Sequence, residues 1–504
     1  MRAKNAWMGL AAVLAATLMN LLDSTIVNVA APAIQAELGG SYTALQWIAA
    51  GYTLALAVGL LTGGRLGDMF GRKRMLMIGI VGFVAASVVC AATPTIETLI
   101  VARVVQGLFG AVMIPQCFGL IRDLFPPDQI GKAFGVFGPM IGLATILGPV
   151  VAGVLVDADV FGTGWRMIFA INLPLGAFAL LAGRTALPDA TAAQVTDRPR
   201  TIDLPGVGLA AVAMFAVVFP LVQGRELGWP AWTLALLFAS VPLVGGFVVH
   251  QIRRGRRGAT PLVEMSVFAK RSYTTGVAFV VVFFGAIVGF SLALGLFLQL
   301  GLGYSPTRAS LTMAAWAVGA FLGSGFSAAS AAKLGRRILH LGLAIMTVGT
   351  AGVYVIFQQY GAEIGTWTLT APLLVFGLGM GMIFVPLFDI IMGDIADHEV
   401  GSASGMLESI QQLGASVGVA VLGTVFFGIA RPTAHGMLDA GTAVDAATVV
   451  TLLTIVLSAA AFGLAFLLPR KARVHAEQHT DQPEQPEQPE QDESTGQREL
   501  ALVA

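Results

Sequence analysis

The chain has 504 residues, 56% of them hydrophobic and only 12% charged, with a mean hydropathy of +0.80, whereas water-soluble domains carry roughly 25% charged residues. That composition argues against a soluble enzyme and makes the lipid bilayer the relevant solvent, because membrane helices tolerate glycines and prolines, here 61 and 23, better than soluble helices do. Bases and acids balance at 29 each, but eight acids and one base lie between Glu477 and Glu499, which leaves a basic body of 28 against 21.

In chain order, Met1-Arg2-Ala3-Lys4 ahead of an apolar run imitates a signal peptide. The run continues through Asn20 and Asp23 to Ala31 without a convincing cleavage site, and it reads as a retained first span. A hydrocarbon core about 30 Å thick takes about 20 helical residues. Runs of that kind start near Trp7, Leu45, Met75, Thr98, Gly131, Trp165, Leu204, Trp232, Tyr273, Ser310, Ile338, Thr366, Ser402 and Val444, fourteen in all. An even count puts both termini on one side. With that side cytoplasmic, 24 Lys/Arg fall in inner segments, four outside (Arg166, Arg225, Arg308, Arg431) and one, Arg103, within a span, as the positive-inside rule requires. The densest inner cluster, Arg253, Arg254, Arg256, Arg257, Lys270 and Arg271, is expected to be topogenic and not a nucleic-acid or lipid site. Two cysteines, Cys90 and Cys117, each within an apolar run, supply neither a disulfide framework nor zinc-ligand spacing; no metal and no cofactor is expected.

The spans repeat. Gly71-Arg72-Lys73 after the second matches Gly335-Arg336-Arg337 after the tenth, Gly110 with Pro115 matches Gly381 with Pro386, and Gly131 with Gly135 matches Gly401 with Gly405, at offsets of 264, 271 and 270. Parallel repeats of this kind place a substrate site near mid-membrane between two halves. The expected architecture is an all-α membrane protein of 14 transmembrane helices, six plus two plus six. It comprises a six-helix bundle over 1–187, a linker with two extra spans over 188–265, a second bundle over 266–473 and an acidic tail over 474–504. The tail repeats Pro-Glu-Gln three times and is too polar to offset its ordering entropy, so it reads as disordered.

Charges inside the bilayer cost roughly 2.5 to 3.5 kcal/mol each at mid-span on insertion scales, and three stand out. Asp23 lies 16 residues past Trp7, about 24 Å from the inner face; Arg103 lies five past Thr98, about 7 to 8 Å from the outer face. On a core about 30 Å thick these depths coincide. The pair is expected either to couple proton uptake at Asp23 to release of Arg103 or to form a static buried ion pair. Glu408, seven residues past Gly401, lies about 10 Å into the inner half with no base in its span; a cationic substrate and a water-filled vestibule are equal alternatives there. Asp389, Asp394, Asp397 and Glu399 read as a solvated inner cluster.

Three further groups have physical readings. Asp68, in Gly64-Arg-Leu-Gly-Asp68-Met-Phe-Gly71-Arg72-Lys73, is badly placed at a helix C-terminal end unless it meets another helix N-terminus or its basic neighbours; a contact that must break when the halves rock would be a conformational latch. The second-half copy has Ala332 in its place. Gly138, Gly142, Gly148, Pro149 and Gly153 put small surfaces and a kink along the fifth span, where a neighbouring backbone can approach. Trp47, Tyr52, Trp316, Met140 and Met406 are candidates for lining a promiscuous pocket, since Met repacks around different shapes; packing or lipid contact is the alternative. Trp232 and Trp367 at span ends read as interfacial anchors.

Five motifs in order resemble the 14-span drug:proton antiporters of the major facilitator superfamily. They are Leu22-Asp23-Ser-Thr25-Ile-Val-Asn28-Val-Ala30-Ala-Pro32 with an atypical Ala31, the Gly64–Lys73 loop with Met69 for a usual base, Arg103-Val-Val-Gln106-Gly107, the glycines of span five with Ala152 for one of a usual pair, and Trp165-Arg166-Met-Ile-Phe169-Ala-Ile-Asn172-Leu-Pro174-Leu-Gly176. The resemblance implies that Asp68 with its basic neighbours stabilises the outward-facing state, that the glycine span controls closure as in exporters, and that an acid at Glu408, ahead of Gln412-Leu413-Gly414, accompanies lipophilic cations. The function it implies is proton-driven export of small amphipathic drugs or antibiotics, from a bacterial plasma membrane with both termini cytoplasmic. The alternatives are a carrier of one metabolite, nutrient or lipid, and a membrane sensor without transport. No phosphate-binding loop is present, so neither ATP nor nucleic acid is an expected partner, and no enzymatic activity is expected.

Overall fold

The computed structural model describes residues 3–126, 148–159, 162–188, 202–395, 400–433 and 437–469. Among them lie α1 (Ala3–Leu38), α2 (Tyr42–Phe70), α3 (Arg72–Ala92) and α4 (Ile96–Leu124). A short helix, α5 (Gly148–Asp157), follows, and α6 (Asn172–Ala186) is preceded by single turns at Gly164–Arg166 and Met167–Ala170. Next come α7 (Leu204–Gln223), α8 (Ala231–Arg256), and α9 (Arg271–Leu296), which runs on into a π turn at Phe297–Gly301. The series closes with α10 (Pro306–Leu334), α11 (Arg337–Tyr360), α12 (Thr370–Met392), α13 (Val400–Ile429) and α14 (Ala440–Ala465).

Thirteen helices among the described residues are long and apolar enough to cross a membrane. The fifth expected span begins at Gly131, outside the described residues, and only its end is described, as α5. The acidic tail also lies outside them.

Local chemistry explains several boundaries. Ser41 caps α2 by accepting from Ala44 N, and Thr95 and Thr98 form a reciprocal capping box on α4, each satisfying donors that a helix start leaves unpaired. Gly71 alone joins α2 to α3 at φ 92°, a conformation open to glycine at little cost.

The packing shows the duplication directly. α2 packs on α4 as α10 packs on α12, and α3 on α4 as α11 on α12. Even the loop bases repeat: Lys73 Nζ donates to the carbonyls of Arg184 (3.1 Å) and Leu187 (2.9 Å) at the end of α6, and Arg336 Nη1 donates to those of Phe466 (2.7 Å) and Leu468 (2.6 Å) after α14. Between the two sets, α2 and α13 run antiparallel: Tyr42 stacks on Phe427 at 4.5 Å, Thr53 Oγ1 meets Ser416 Oγ at 2.9 Å, and Ser409 Oγ donates to Ala57 O at 2.5 Å. Behind α13, α9 approaches so closely that a Cβ on Gly418 would stand 2.1 Å from Gly285 O; only glycine permits this backbone contact.

The unmatched helices α7 and α8 lie beside this seam. α7 packs on α2, α13 and α8, and their shared apolar cluster joins Leu54, Leu61, Met214, Val218, Phe247 and Ala420. At the end where α1 starts and α14 finishes, the fully buried Asp203 carboxylate caps α7 by accepting from Gly206 N (3.1 Å) and also binds His250 Nε2 (2.8 Å) and Gln251 Nε2 (2.9 Å). Burial pushes the Asp203 carboxyl up, but hydrogen bonds from His250, Gln251 and Gly206 and the Arg254 charge outweigh it and hold the group below the usual carboxylate range.

Asp203→Ala removes a cap that contributes about 1 kcal/mol and strands buried donors at about 1 to 3 kcal/mol. A lower thermal unfolding midpoint in detergent is the expected result; an unchanged midpoint would refute the role. Because the folded carboxyl lies below its unfolded value, its stabilisation is present above about pH 4 and lost as pH falls through the folded value, so the difference between wild type and variant should shrink in acid.

Candidate functional site

Four helices bring one buried polar cluster together. Asp23 on α1 is 0% exposed and Arg103 on α4 is 1% exposed, and Arg103 Nη1 forms an ion pair with Asp23 Oδ2. Burial this complete leaves charge neutralisation to protein groups alone, and the remaining valences are met accordingly. Gln106, one turn along α4, accepts from Arg103 Nη1 at Oε1 (2.6 Å) and donates from Nε2 to Asp23 Oδ1 (2.8 Å) and Ser87 Oγ (2.9 Å). Asn172, the first residue of α6, donates from Nδ2 to Asp23 Oδ1 (3.0 Å) and Ser87 Oγ (3.1 Å). On α3, Ser87 passes its own proton to Phe83 O at 2.8 Å.

The guanidinium also donates to Ile48 O at 3.4 Å and lies 4.0 Å from the centroid of the Tyr52 ring, a cation–π contact that strengthens when desolvated. Tyr52 is held by a hydrogen bond from its hydroxyl to Asn20 Oδ1 at 2.7 Å. The depth arithmetic paired Asp23 with Arg103; it gave no sign of Ser87, and it left Tyr52 as a pocket candidate when its ring caps the cation. Asn20 and Ser87 carry one available signal, a polar residue inside an apolar run.

Glu408 lies on α13, half-buried, one residue before the Ser409 that bridges to α2. Gln412 Nε2 donates to its Oε1 at 3.4 Å, and among the described residues Glu408 forms no ion pair. Met406 packs nearby, against both the α7–α8 cluster and the core of the second helix set.

The latch residues divide. Arg72 Nη1 donates to Asp123 Oδ1 at 3.2 Å, near the end of α4, a partner the sequence did not indicate. Lys73 binds the carbonyls beyond α6 given above, and Gly64 faces Pro115. Gly71 supplies the left-handed turn. The side chains of Asp68 and Ala332 lie outside those described.

Of the span-five residues, Gly138, Gly142 and Met140 lie outside the described residues. Pro149 is half-buried in α5. A Cβ on Gly148 would stand 2.3 Å from Thr25 Oγ1 of α1, and one on Gly153 would stand 2.7 Å from Pro306 O of α10. α5 therefore reaches across to the second helix set at the end opposite the termini, where Asp157 Oδ2 accepts from Thr307 N at 2.9 Å.

The other aromatic candidates do not converge on one wall. Trp47 turns toward α7, donating to Gln223 Oε1 at 3.1 Å, stacking on Phe215 and lying tilted against Phe219. Trp316 is buried within the second helix set, edge-on to Phe376 at 4.7 Å. Each indole finds a partner within reach of its own helix, as buried tryptophans generally do. Trp232 and Trp367 are exposed at helix starts.

The profile of the Major Facilitator Superfamily matches residues 13–419. The chain is 48% identical to the "Probable actinorhodin transporter" of Streptomyces coelicolor, over 86% of this chain and 75% of that protein. It is 35% identical to a puromycin resistance protein of Streptomyces alboniger (88% and 85%) and 33% identical to the tetracenomycin C resistance and export protein of Streptomyces glaucescens (83% and 76%). A solved structure from work on proton-dependent oligopeptide transporters superposes with a TM-score of 0.65, at 16% identity, over 92% of this chain and 99% of that one, a likeness of fold.

Proposed function

Because the chain belongs to the Major Facilitator Superfamily, a family of transporters and not of enzymes, we propose that it is a proton-coupled exporter of small amphipathic antibiotics or drugs, working by alternating access. The substrate class rests on relatives named for actinorhodin, tetracenomycin C and puromycin. The observation that carries the coupling is the buried Asp23–Arg103 pair: a carboxylate there is held by its partner's charge, and taking up a proton neutralises the carboxylate and frees the guanidinium. The rearrangement is then read out at the seam between α2 and α13 and at the α5–α10 contact, which join the two helix sets. One charge crossing 100 mV supplies about 2.3 kcal/mol, so one or two protons drive a useful gradient without ATP.

The termini face the cytoplasm in this reading, because nearly all Lys and Arg lie on that side, and the bacterial sources of the relatives support a plasma-membrane location. The basic turn at Gly71, Arg72 and Lys73, with Gly64 and Asp68, serves as the conformational latch of the cytoplasmic ends. Gly148 and Gly153 pack closely at the described end of the fifth span, and with Pro149, Gly138 and Gly142 they make up the antiporter motif in this reading. Glu408, which forms no ion pair among the described residues, offers a carboxylate beside the seam to a substrate cation. Proteoliposomes with an imposed pH gradient, offered actinorhodin, tetracenomycin C and puromycin in turn, test the proposal: gradient-dependent movement of at least one is expected, and movement of none under any gradient refutes it.

A further inference from the structure

We infer that Asn172 is the positioning residue that serves Asp23 in both of its protonation states, an inference that rests on the proton-coupling reading of Asp23. The ionised carboxylate is surrounded by donors: Arg103 at Oδ2, and Gln106 Nε2 and Asn172 Nδ2 at Oδ1. A protonated Asp23 has the opposite requirement, because its new hydroxyl must find an acceptor in a place with no exposed surface.

The cluster contains few acceptors to spare. Gln106 Oε1 already takes Arg103 Nη1 and the Cys90 thiol (3.6 Å). Ser87 Oγ takes both amide groups and donates to Phe83 O. Tyr52 OH donates to Asn20, and its ring faces the guanidinium. Asn172 Oδ1, by contrast, is buried with no hydrogen-bond partner among the described residues, on a residue with 0% exposure. A half-turn about the Cβ–Cγ bond exchanges its amide oxygen and nitrogen, so the same side chain donates to the carboxylate and accepts from the acid. Among the described residues, the titratable groups facing Asp23 are Arg103 from α4, Tyr52 from α2 and Cys90 from α3; α5 and α6 present none. The proton therefore stays in a pocket where the Asn172 amide can change from donor to acceptor without carrying charge.

Asn172→Leu, with the same number and branching of side-chain heavy atoms but no polar ones, is compared with wild type and Asn172→Gln in proteoliposomes. Two rates are read: export driven by a pH gradient, and substrate exchange at equal pH on both sides. The expected result is about a tenfold loss of gradient-driven export with exchange within about twofold of wild type, and recovery of coupling in Asn172→Gln. Equal loss of both rates marks a structural role and overturns the inference, as does no loss of either; Asn172→Ala carries the same comparison if leucine prevents folding. Infrared difference spectra give a second readout: the carboxylic acid C=O band that Asp23→Asn abolishes should move to higher frequency in Asn172→Leu, and an unmoved band overturns the inference. If wild type shows no gradient-driven export, the coupling reading itself fails, a result distinct from a coupled wild type indifferent to Asn172.

Discussion

Asp23→Asn is expected to abolish export driven by a pH gradient while leaving downhill exchange of substrate measurable. Asparagine can hold the position and accept one hydrogen bond, but it cannot take up or release a proton. It also removes the carboxylate paired with Arg103 and leaves the buried guanidinium, among the described residues, with dipoles alone around it. Breaking a buried pair from one side costs about 3 to 5 kcal/mol, so the purified variant should also melt markedly lower than wild type. The stability effect and the coupling effect separate in the double variant Asp23→Asn with Arg103→Gln. Removing both charges relieves the unpaired guanidinium, so the double variant should recover part of the melting temperature, a non-additivity that only contacting residues show. Coupling should stay lost. Recovery of gradient-driven export in the double variant would identify the pair as static packing and remove Asp23 from the proton pathway.

Glu408→Gln is the second large effect, and it should depend on substrate charge. A carboxylate beside the seam with no ion-pair partner among the described residues can bind a cationic drug through a charge-assisted hydrogen bond of about 1.5 to 3 kcal/mol, which corresponds to about 10- to 100-fold in affinity. Uptake into inverted vesicles should therefore show KM raised by that factor for cationic substrates and little changed for neutral ones, with the maximal rate preserved. A uniform effect on both classes would place Glu408 in coupling or folding instead of substrate recognition. The change should not lower thermal stability, since Gln412 is the hydrogen-bond partner Glu408 has in its own helix and a glutamine still accepts from it.

Comparing individual residues shows where the sequence was legible. Asp23 and Arg103 could be paired across 80 positions because each helix maps residue number onto membrane depth at 1.5 Å per residue, so two costly charges at one depth imply each other. Asn172 lay in plain view within a recognisable motif, yet nothing in its spacing shows that it faces Asp23 and not lipid. Arg72 was assigned to a latch from its loop, and among the described side chains it also meets Asp123 of α4, a partner brought to it by the packing of α3 on α4. Trp47 and Trp316 had the right chemistry for a pocket; their rotational positions turn them toward α7 and into the second helix set. Asp203, which ties α7 to α8 at the terminus-bearing end, gave no signal beyond its place before an apolar run.

The sequence by itself determined the membrane class, the positions of thirteen described spans, the internal repeats and the pairing of Asp23 with Arg103. All four follow from a one-dimensional rule: uncharged stretches of about 20 residues partition into hydrocarbon, and every exception to that rule is conspicuous. Only the tertiary structure decided which face of each helix meets which neighbour, and hence the Ser87–Gln106–Asn172 network, the Gly285–Gly418 contact and the α2–α13 seam. The physical reason is that lipid and protein core are both apolar. A helix buried between them is apolar all round, its facing leaves little periodic trace, and small residues and scattered polar atoms fix its orientation only once the partner helices are in place.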